Sequence, residues 1–189
     1  KYVQPVDPRK CETNSNGDKH YYLDGQLNSW SYIDETGKLI DLPAIICANG
    51  EEHWYKDGKR NRDNDLPASI YANGGQVWYK NDKIHRDNDL PAIINVNGTQ
   101  FWYKNGKYHR DNDLPAIINA SGYQAWCQND KLHRDNDLPA IINVNGKNEY
   151  YRDGVEYFPT ENDIKLSELE QKLSELKLLL ATSKSTDSK

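Results

Sequence analysis

The chain contains no methionine and, among its 189 residues, only three cysteines and two phenylalanines. Cys11, Cys47 and Cys127 are far apart in the sequence and form no C-x-x-C pair, so they support neither a disulfide framework nor a zinc site. Reduced cysteines favour an intracellular, reducing compartment. Apolar runs are also short, and the leucine-rich run at 178–181 falls well below the roughly 18 residues that a membrane-spanning helix needs. The sequence therefore predicts no membrane span.

A block of basic residues is missing as well. Lys and Arg number 24 against 29 Asp and Glu, with signs that alternate along the chain, so no nucleic-acid interface is indicated. A mean hydropathy of -0.98 would favour weak folding, but five Trp and 13 Tyr supply apolar surface. A thick globular core is not expected. Position 1 is Lys and not Met, so we expect a preceding segment, and no targeting signal can be read.

A repeat of 24 residues dominates the sequence that is present. Five units follow one another without gaps, at 41–64, 65–88, 89–112, 113–136 and 137–160. The third unit reads DLPAIINVNGTQFWYKNGKYHRDN, and the others keep its proline, its turn residues and its tryptophan, which Tyr150 replaces in the fifth unit. A fixed period of this size is typical of stacked supersecondary units. We therefore expect an all-β, elongated repeat array of antiparallel β-hairpins.

Two turn signals divide each unit into short strands. In the third unit, Asn97-Gly98 favours a two-residue hairpin loop that pairs Ile94 with Phe101, followed by a strand over 99–104. A second turn follows at Asn105-Gly106, where two other units place an Asp that tolerates the left-handed conformation. The alternation does not decide which sheet face is buried. Positions that vary between units are predicted to form an interaction surface, namely His53, Val77, Phe101, Ala125 and Glu149.

The N-terminal segment, residues 1–40, contains a degenerate unit. Its KHYYLDG segment at 19–25 matches the second half of a hairpin, and a further hairpin is predicted from 30–34 and 39–40. An irregular first unit can cover the open edge of a sheet, which would otherwise recruit other strands. We therefore expect residues 1–40 to cap the array.

The C-terminal residues change to a helical period. Thr160 predicts the N-cap of a helix over 161–181, and the Ser- and Thr-rich residues 182–189 predict a disordered tail. Leucines in the helix follow the 3-4 spacing of a coiled coil, at Leu166, Leu169, Leu173, Leu176 and Leu180. This helix either joins copies of the chain into a homodimer or homotrimer or folds back over the last unit as a cap.

The repeat also resembles a known type. The motif WYKNGKxHR, followed by acidic residues and LPAI, resembles MORN-like tandem repeats with an H-R-acidic-G-P-A signature, which occur in hypothetical proteins of phages, bacteria and large DNA viruses. The resemblance covers 41–160 and, more weakly, 16–40, with Asp-Asn-Asp-Leu in place of an acidic residue and Gly before the proline. It implies an extended sheet of hairpins that acts as an interaction scaffold. It also implies a viral source, with the protein in the host cytoplasm or the virion.

Polar motifs do not indicate a catalytic centre. His-Arg-Asp triplets begin at His85, His109 and His133, but no Gly-rich loop or Asp-Phe-Gly of a kinase accompanies them. The Asp-Asn-Asp turns, such as 63–65, offer oxygen ligands of the kind that Ca²⁺ prefers, and the alternative is Asx-turn bonding to the backbone. We therefore predict that the protein is not an enzyme and has no catalytic residue, no cofactor and no metal site, with cation binding by these turns left open.

Two functions remain from the sequence. The favoured one is a non-enzymatic structural scaffold that mediates protein–protein contacts with an unidentified partner and self-assembles through its helix. The alternative is a repeat module that binds carbohydrate or lipid headgroups through its Trp and Tyr ladder. KHYYLDG is similar to the aromatic hairpins of choline- and glucan-binding repeats, although those have a shorter period and lack the L-P-A and H-R motifs.

Overall fold

The structure, a computed structural model, describes residues 2–186 and the side chains of residues 2–177. The N-terminal segment forms five strands: β1 (Lys10–Thr13), β2 (Lys19–Leu23), β3 (Gln26–Leu27), β4 (Trp30–Ile33) and β5 (Leu39–Leu42). The β4–β5 hairpin lies where the sequence predicts one.

Each of the five units contributes four strands of two residues. They are β6 (Ile45–Ile46), β7 (Glu52–His53), β8 (Tyr55–Lys56), β9 (Lys59–Arg60), β10 (Ser69–Ile70), β11 (Gln76–Val77), β12 (Tyr79–Lys80), β13 (Lys83–Ile84), β14 (Ile93–Ile94), β15 (Gln100–Phe101), β16 (Tyr103–Lys104), β17 (Lys107–Tyr108), β18 (Ile117–Ile118), β19 (Gln124–Ala125), β20 (Cys127–Gln128), β21 (Lys131–Leu132), β22 (Ile141–Ile142), β23 (Asn148–Glu149), β24 (Tyr151–Arg152) and β25 (Val155–Glu156). Helix α1 (Glu161–Thr186) follows them.

These strands form one long sheet and a row of separate hairpins. The first two strands of every unit join a 13-stranded antiparallel sheet in the order β1-β2-β6-β7-β10-β11-β14-β15-β18-β19-β22-β23, with β3 paired to β2. The last two strands of each unit form a two-stranded hairpin of their own, such as β16–β17. The prediction of an array of antiparallel hairpins with a C-terminal helix is thereby confirmed.

The buried residues lie where each unit passes from the long sheet to its hairpin. Trp102 separates β15 from β16, so the predicted continuous strand over 99–104 is wrong at this residue. Its backbone N–H donates to the carbonyl of Ala116 in the next unit at 2.8 Å. The alanines and tryptophans equivalent to these two are also buried, with every alanine fully so: Ala44, Ala68, Ala92, Ala140, Trp54, Trp78 and Trp126. Tyr150 of the fifth unit, in contrast, is half-buried. The small alanine leaves space for the indole of the preceding unit.

The loop between β14 and β15 is longer than predicted, and the register changes with it. Asn95 donates its N–H to the carbonyl of Thr99, leaving three residues in the loop, and Gly98 adopts a φ of +82°. A glycine with positive φ at this position closes a three-residue loop. Phe101 therefore pairs with Ile93 and not with Ile94, so the predicted pairing is wrong by one residue.

The row of hairpins is held together by backbone bonds between units. Gly106, in the turn of β16–β17, donates its N–H to the carbonyl of Ile84 in the preceding unit at 2.8 Å. Asp82 occupies the equivalent position with a φ of +66°, which confirms that Asp tolerates the left-handed conformation there. Its N–H bonds to the carbonyl of Arg60, and its carboxylate accepts the N–H of Arg60 at 2.7 Å. Each turn thus continues the row whether it holds Gly or Asp.

Helix α1 begins where the sequence predicts and ends later. Thr160 caps it, since its hydroxyl accepts the N–H of Asp163 while the Asp163 carboxylate accepts the N–H of Thr160 at 2.9 Å. The helix continues through Thr186, so the predicted tail over 182–189 is wrong for residues 182–186, where no Gly or Pro stops the helix. Residues 187–189 lie outside the described part of the chain. Among the described residues, no helix is long and apolar enough to cross a bilayer.

Candidate functional site

A repeated arginine contact holds consecutive units together, and we call it the Arg clasp. In the third unit, the guanidinium of Arg110 lies 3.9 Å from the centre of the Trp102 ring. Its Nε and Nη2 each donate to the Asp89 carboxylate at 2.9 Å, and its Nη1 donates to the carbonyl of Pro115 in the next unit at 3.2 Å. Equivalent clasps are formed by Arg62, Arg86 and Arg134.

The histidine of each triplet also connects neighbouring units. His109 Nδ1 accepts the backbone N–H of Asn129 in the next unit at 3.3 Å, so the ring proton is on Nε2. That nitrogen lies 2.8 Å from Oδ1 of Asp111, to which it donates. His85 and His133 make the same pair of contacts. Both ring nitrogens are therefore bound by groups of the array itself. The histidines of the His-Arg-Asp triplets thus have a structural role.

The Asp-Asn-Asp turns use their carboxylates within the chain. Asn112 and Asp113 both have positive φ, as a tight turn with two left-handed residues requires. The Asp111 carboxylate accepts from Lys104 Nζ at 2.8 Å as well as from His109. Asp113 forms an ion pair with Arg134. The Asp111 and Asp113 carboxylates are thus bound by Lys104, His109 and Arg134 of the same array.

The tryptophans do not form an exposed platform. Trp102 is 6% exposed, its ring is covered by Arg110, and its Nε1 donates to the carbonyl of Asp89 at 2.9 Å. Trp54, Trp78 and Trp126 are equally buried. A sugar needs an exposed aromatic face on which to stack, so this burial removes the basis for ligand binding by a Trp ladder.

The positions that vary between units were expected to face solvent or a partner. His53, Val77 and Ala125 are buried, and Phe101 and Glu149 are half-buried. The expected exposure of the first three is wrong, because the three-residue loop brings these positions into register with Ile45, Ser69 and their equivalents on the inward face of the sheet.

Shallow polar clefts occur between successive clasps. One cleft, of about 340 Å³, lies between residues 61–65 and residues 85–88, with Trp78, Tyr79 and Lys80 along its floor. A second, of about 170 Å³, repeats it one unit further on. Their walls are the ion pairs described above, so the array presents a periodic surface of alternating charge.

Helix α1 exposes a row of leucines, which we call the leucine stripe: Leu166, Leu169, Leu173 and Leu176. Their exposed fractions are 58%, 63%, 52% and 57%. The side chain of Leu180, the fifth predicted residue, lies outside the described part of the chain. Ser167 is buried, and the Glu168 carboxylate helps to raise the pKa of Tyr150, second to burial. The neighbouring face of the helix is therefore close to the last unit, and the stripe is not used as a cap.

The chain matches no protein-family model and no curated protein.

One cluster was not predicted from the sequence. Cys47, Glu51 and His53 meet at the β6–β7 hairpin of the first unit, with Ser69 against His53. From the sequence, Cys47 was expected to belong to no zinc site and His53 to lie on an interaction surface. The sequence does contain a signal for this cluster, because Cys47, Glu51, His53 and Ser69 each differ from the residues at the equivalent positions of the other units.

The Arg clasp predicts a specific pH dependence. Hydrogen bonds from the Arg86 guanidinium lower the pKa of Asp65, so the ionised carboxylate stabilises the folded chain. This contribution is complete above the unfolded-state pKa of about 4 and is lost as the pH falls through the lower folded-state value. We expect Asp65→Asn to destabilise the chain at neutral pH, and the difference from wild type to shrink below about pH 4.

Urea unfolding at a series of pH values measures this difference. Asp24→Asn, at an exposed turn residue, serves as the control and should show a smaller effect at neutral pH. A difference between wild type and Asp65→Asn that stays constant down to the lowest pH would contradict the role assigned to the ionised carboxylate.

Proposed function

We propose that the chain is a non-enzymatic scaffold that self-assembles through α1 and presents its repeat array to a protein partner. The observation that carries this proposal is the leucine stripe, four leucines at coiled-coil spacing, each more than half exposed. A leucine row of this length is unfavourable in water, and a second copy of the same helix is the simplest surface that covers it.

Charges beside the stripe bear on the arrangement of the copies. In a parallel pair, Lys165 of one helix lies near Glu170 of the other, which is favourable. Lys172 and Lys177 would face each other with like charge, which opposes a tight parallel dimer. A trimer or an antiparallel pair remains compatible with the stripe, so the proposal is a small homo-oligomer.

The repeat array supports the scaffold part of the proposal. Many of its titratable side chains are bound to one another within a unit, as with His109 and Asp111, and these pairs recur several times at a fixed spacing. A regular series of equivalent clefts suits a partner with its own repeats. Assembly through α1 would bring several arrays together and so strengthen weak contacts with that partner by multivalency. The resemblance to viral repeat proteins extends the proposal to a component of a virion.

Light scattering tests the assembly. We expect the full chain to have two or three times the mass of one chain, and the double variant Leu169→Asp, Leu173→Asp to have the mass of one. Gln171→Asp with Ser174→Asp, on exposed positions outside the stripe, is the matched control and should keep the wild-type mass. A wild-type chain that is monomeric at every concentration would refute the proposal.

A further inference from the structure

Three side chains with metal-binding atoms meet at the β6–β7 hairpin of the first unit. The N–H of Cys47 donates to the carbonyl of Glu51 at 2.8 Å and closes the loop between β6 and β7. His53 follows Glu51 by two residues and therefore lies on the same face of the strand. The sulfur of Cys47, a carboxylate oxygen of Glu51 and an imidazole nitrogen of His53 all lie within 4.8 Å of one another.

A fourth residue holds the imidazole in place. Ser69 lies opposite His53 in the sheet register, and its Oγ is 3.0 Å from His53 Nδ1. Ser69 is fully buried, so this contact is not shared with solvent. The other ring nitrogen, Nε2, is 3.9 Å from Oε2 of Glu51. A histidine that ligates a metal characteristically donates its second N–H to an oxygen in this way.

All four residues depart from the repeat at one place. In the later units, the position of Cys47 holds Tyr71, Asn95, Asn119 and Asn143, and the position of Glu51 holds Gly75, Thr99, Tyr123 and Lys147. The position of His53 holds Val77, Phe101, Ala125 and Glu149, and the position of Ser69 holds Ile93, Ile117 and Ile141. Burying an imidazole and a hydroxyl where other units bury Val, Ala or Ile weakens the core unless these polar groups bind a hydrogen-bonding partner or a metal ion.

The geometry does not suit a thiol–imidazole relay. In such a relay the acid and the nucleophile lie on opposite nitrogens of the ring. Here Glu51 is beside Nε2, so the thiol of Cys47 would have to approach Nδ1, which Ser69 occupies. Burial also raises the pKa of the Cys47 thiol, which disfavours the nucleophilic thiolate.

We propose that Cys47, Glu51 and His53 bind one Zn²⁺ ion, with Ser69 orienting the imidazole and water as the fourth ligand. A set of one sulfur, one nitrogen and one oxygen suits this metal, and tetrahedral bond lengths place the donor atoms about 3.3–3.6 Å apart. Binding therefore requires the three side chains to move closer together than the present separations of up to 4.8 Å. Binding releases the thiol proton, and the thiolate and carboxylate then balance the charge of the ion.

Arg60 is the nearby cation that such a site must tolerate. Its guanidinium is held between the rings of Tyr55 and Tyr79, at 5.4 and 5.0 Å, and Nη2 donates to the Tyr55 hydroxyl at 3.0 Å. Zn²⁺ with a thiolate and a carboxylate is neutral overall, so the occupied site presents no net positive charge to Arg60.

Titration of the full chain with Zn²⁺ and with Co²⁺ tests the site. We expect one equivalent of metal to bind and Co²⁺ to show a thiolate charge-transfer band. Cys47→Ser and His53→Gln should each weaken Zn²⁺ binding by more than about 100-fold, and Ser69→Ala by about 10-fold. Cys127→Ser, at a buried thiol in another unit, should bind as wild type does. Circular dichroism checks that each variant is folded.

A transplant of the four residues gives an independent test. Asn95→Cys, Thr99→Glu, Phe101→His and Ile117→Ser rebuild the cluster in the third and fourth units, and we expect this variant to bind a second equivalent. A wild-type chain that binds no stoichiometric Zn²⁺, folded Cys47→Ser and His53→Gln variants that bind as wild type does, or a folded transplant that stays at one equivalent would overturn the assignment.

Discussion

Replacing Trp102 with alanine is expected to lower the free energy of unfolding by about 3–5 kcal/mol. The side chain packs against Ala116 and Cys127 of the next unit and beneath the guanidinium of Arg110. Alanine would leave a cavity at this junction and remove the hydrogen bond to the carbonyl of Asp89. Because each unit of an array contacts only its neighbours, no other part of the core compensates for the loss.

A matched pair of phenylalanine variants separates packing from hydrogen bonding. Within the described residues, Nε1 of Trp54 has no acceptor, whereas Nε1 of Trp102 bonds to Asp89. The backbone differs at the two positions, because Asp89 has a positive φ in its turn, whereas Asp41 lies within strand β5. We expect Trp102→Phe to be more destabilising than Trp54→Phe by about 1 kcal/mol.

Urea unfolding followed by far-ultraviolet circular dichroism measures these variants. Val96→Ala, at a loop position that is 65% exposed, is the control and should change stability by less than about 0.5 kcal/mol. A Trp102→Ala variant within about 1 kcal/mol of wild type would contradict the placement of the core at the unit junctions. Equal effects of the two phenylalanine variants would contradict the contribution of the Asp89 bond.

The fold class follows from the sequence because its signals are local. The 24-residue period and the turns at Asn97-Gly98 and Asn105-Gly106 are enough to predict an array of hairpins. The helix start is equally local, because Thr160 and Asp163 lie within one turn of each other. Each of these features depends on the backbone preferences of a few neighbouring residues, and those preferences are visible in a single chain.

The strand register and the choice of buried sheet face both depend on whether the loop between the two strands has two residues or three. Asn97-Gly98 suits both a two-residue and a three-residue loop, and the choice decides whether Phe101 pairs with Ile94 or Ile93. Variation between units is also a poor guide to exposure, because the position that holds His53 and Ala125 differs between units and these residues are nevertheless buried. At His53, the cross-strand neighbour differs as well, because Ser69 stands where the other units have isoleucine.

The Arg clasp was only partly visible in the sequence. Pairing of Arg with a nearby Asp could be expected, but Arg110 bonds to Asp89, which is 21 residues earlier, and not to the adjacent Asp111. This choice depends on how the turn at 111–113 folds back on the preceding one, which no local pattern specifies. The Cys47 and His53 cluster was missed for the opposite reason, since it is a departure from the repeat and not part of it.

Arg110→Ala is expected to lower the free energy of unfolding by about 2–3 kcal/mol. The change removes the cation from the face of Trp102 and leaves the carbonyl of Pro115 without its donor. The Asp89 carboxylate remains 43% exposed, so its ion pair contributes less than a fully buried one would. We expect Arg110→Lys to recover less than half of the loss, since an ammonium cannot make the forked contact and lie flat on the indole.

The same unfolding experiment, with Arg152→Ala as the control, decides how much the clasp geometry contributes. Arg152 also pairs with an aspartate, Asp137, but its side chain is 53% exposed and the residue at its ring contact is Tyr157. Its removal should therefore change stability by less than about 1 kcal/mol. Two results would contradict this role of the clasp geometry: Arg110→Lys with the same free energy of unfolding as wild type, or Arg152→Ala as destabilising as Arg110→Ala. In either case, a positive charge alone would be sufficient for the stabilisation. The expected order, with Arg110→Ala most destabilising, Arg110→Lys next and Arg152→Ala least, requires the guanidinium to act at once as an ion-pair partner, a cover for the indole and a donor to the next unit.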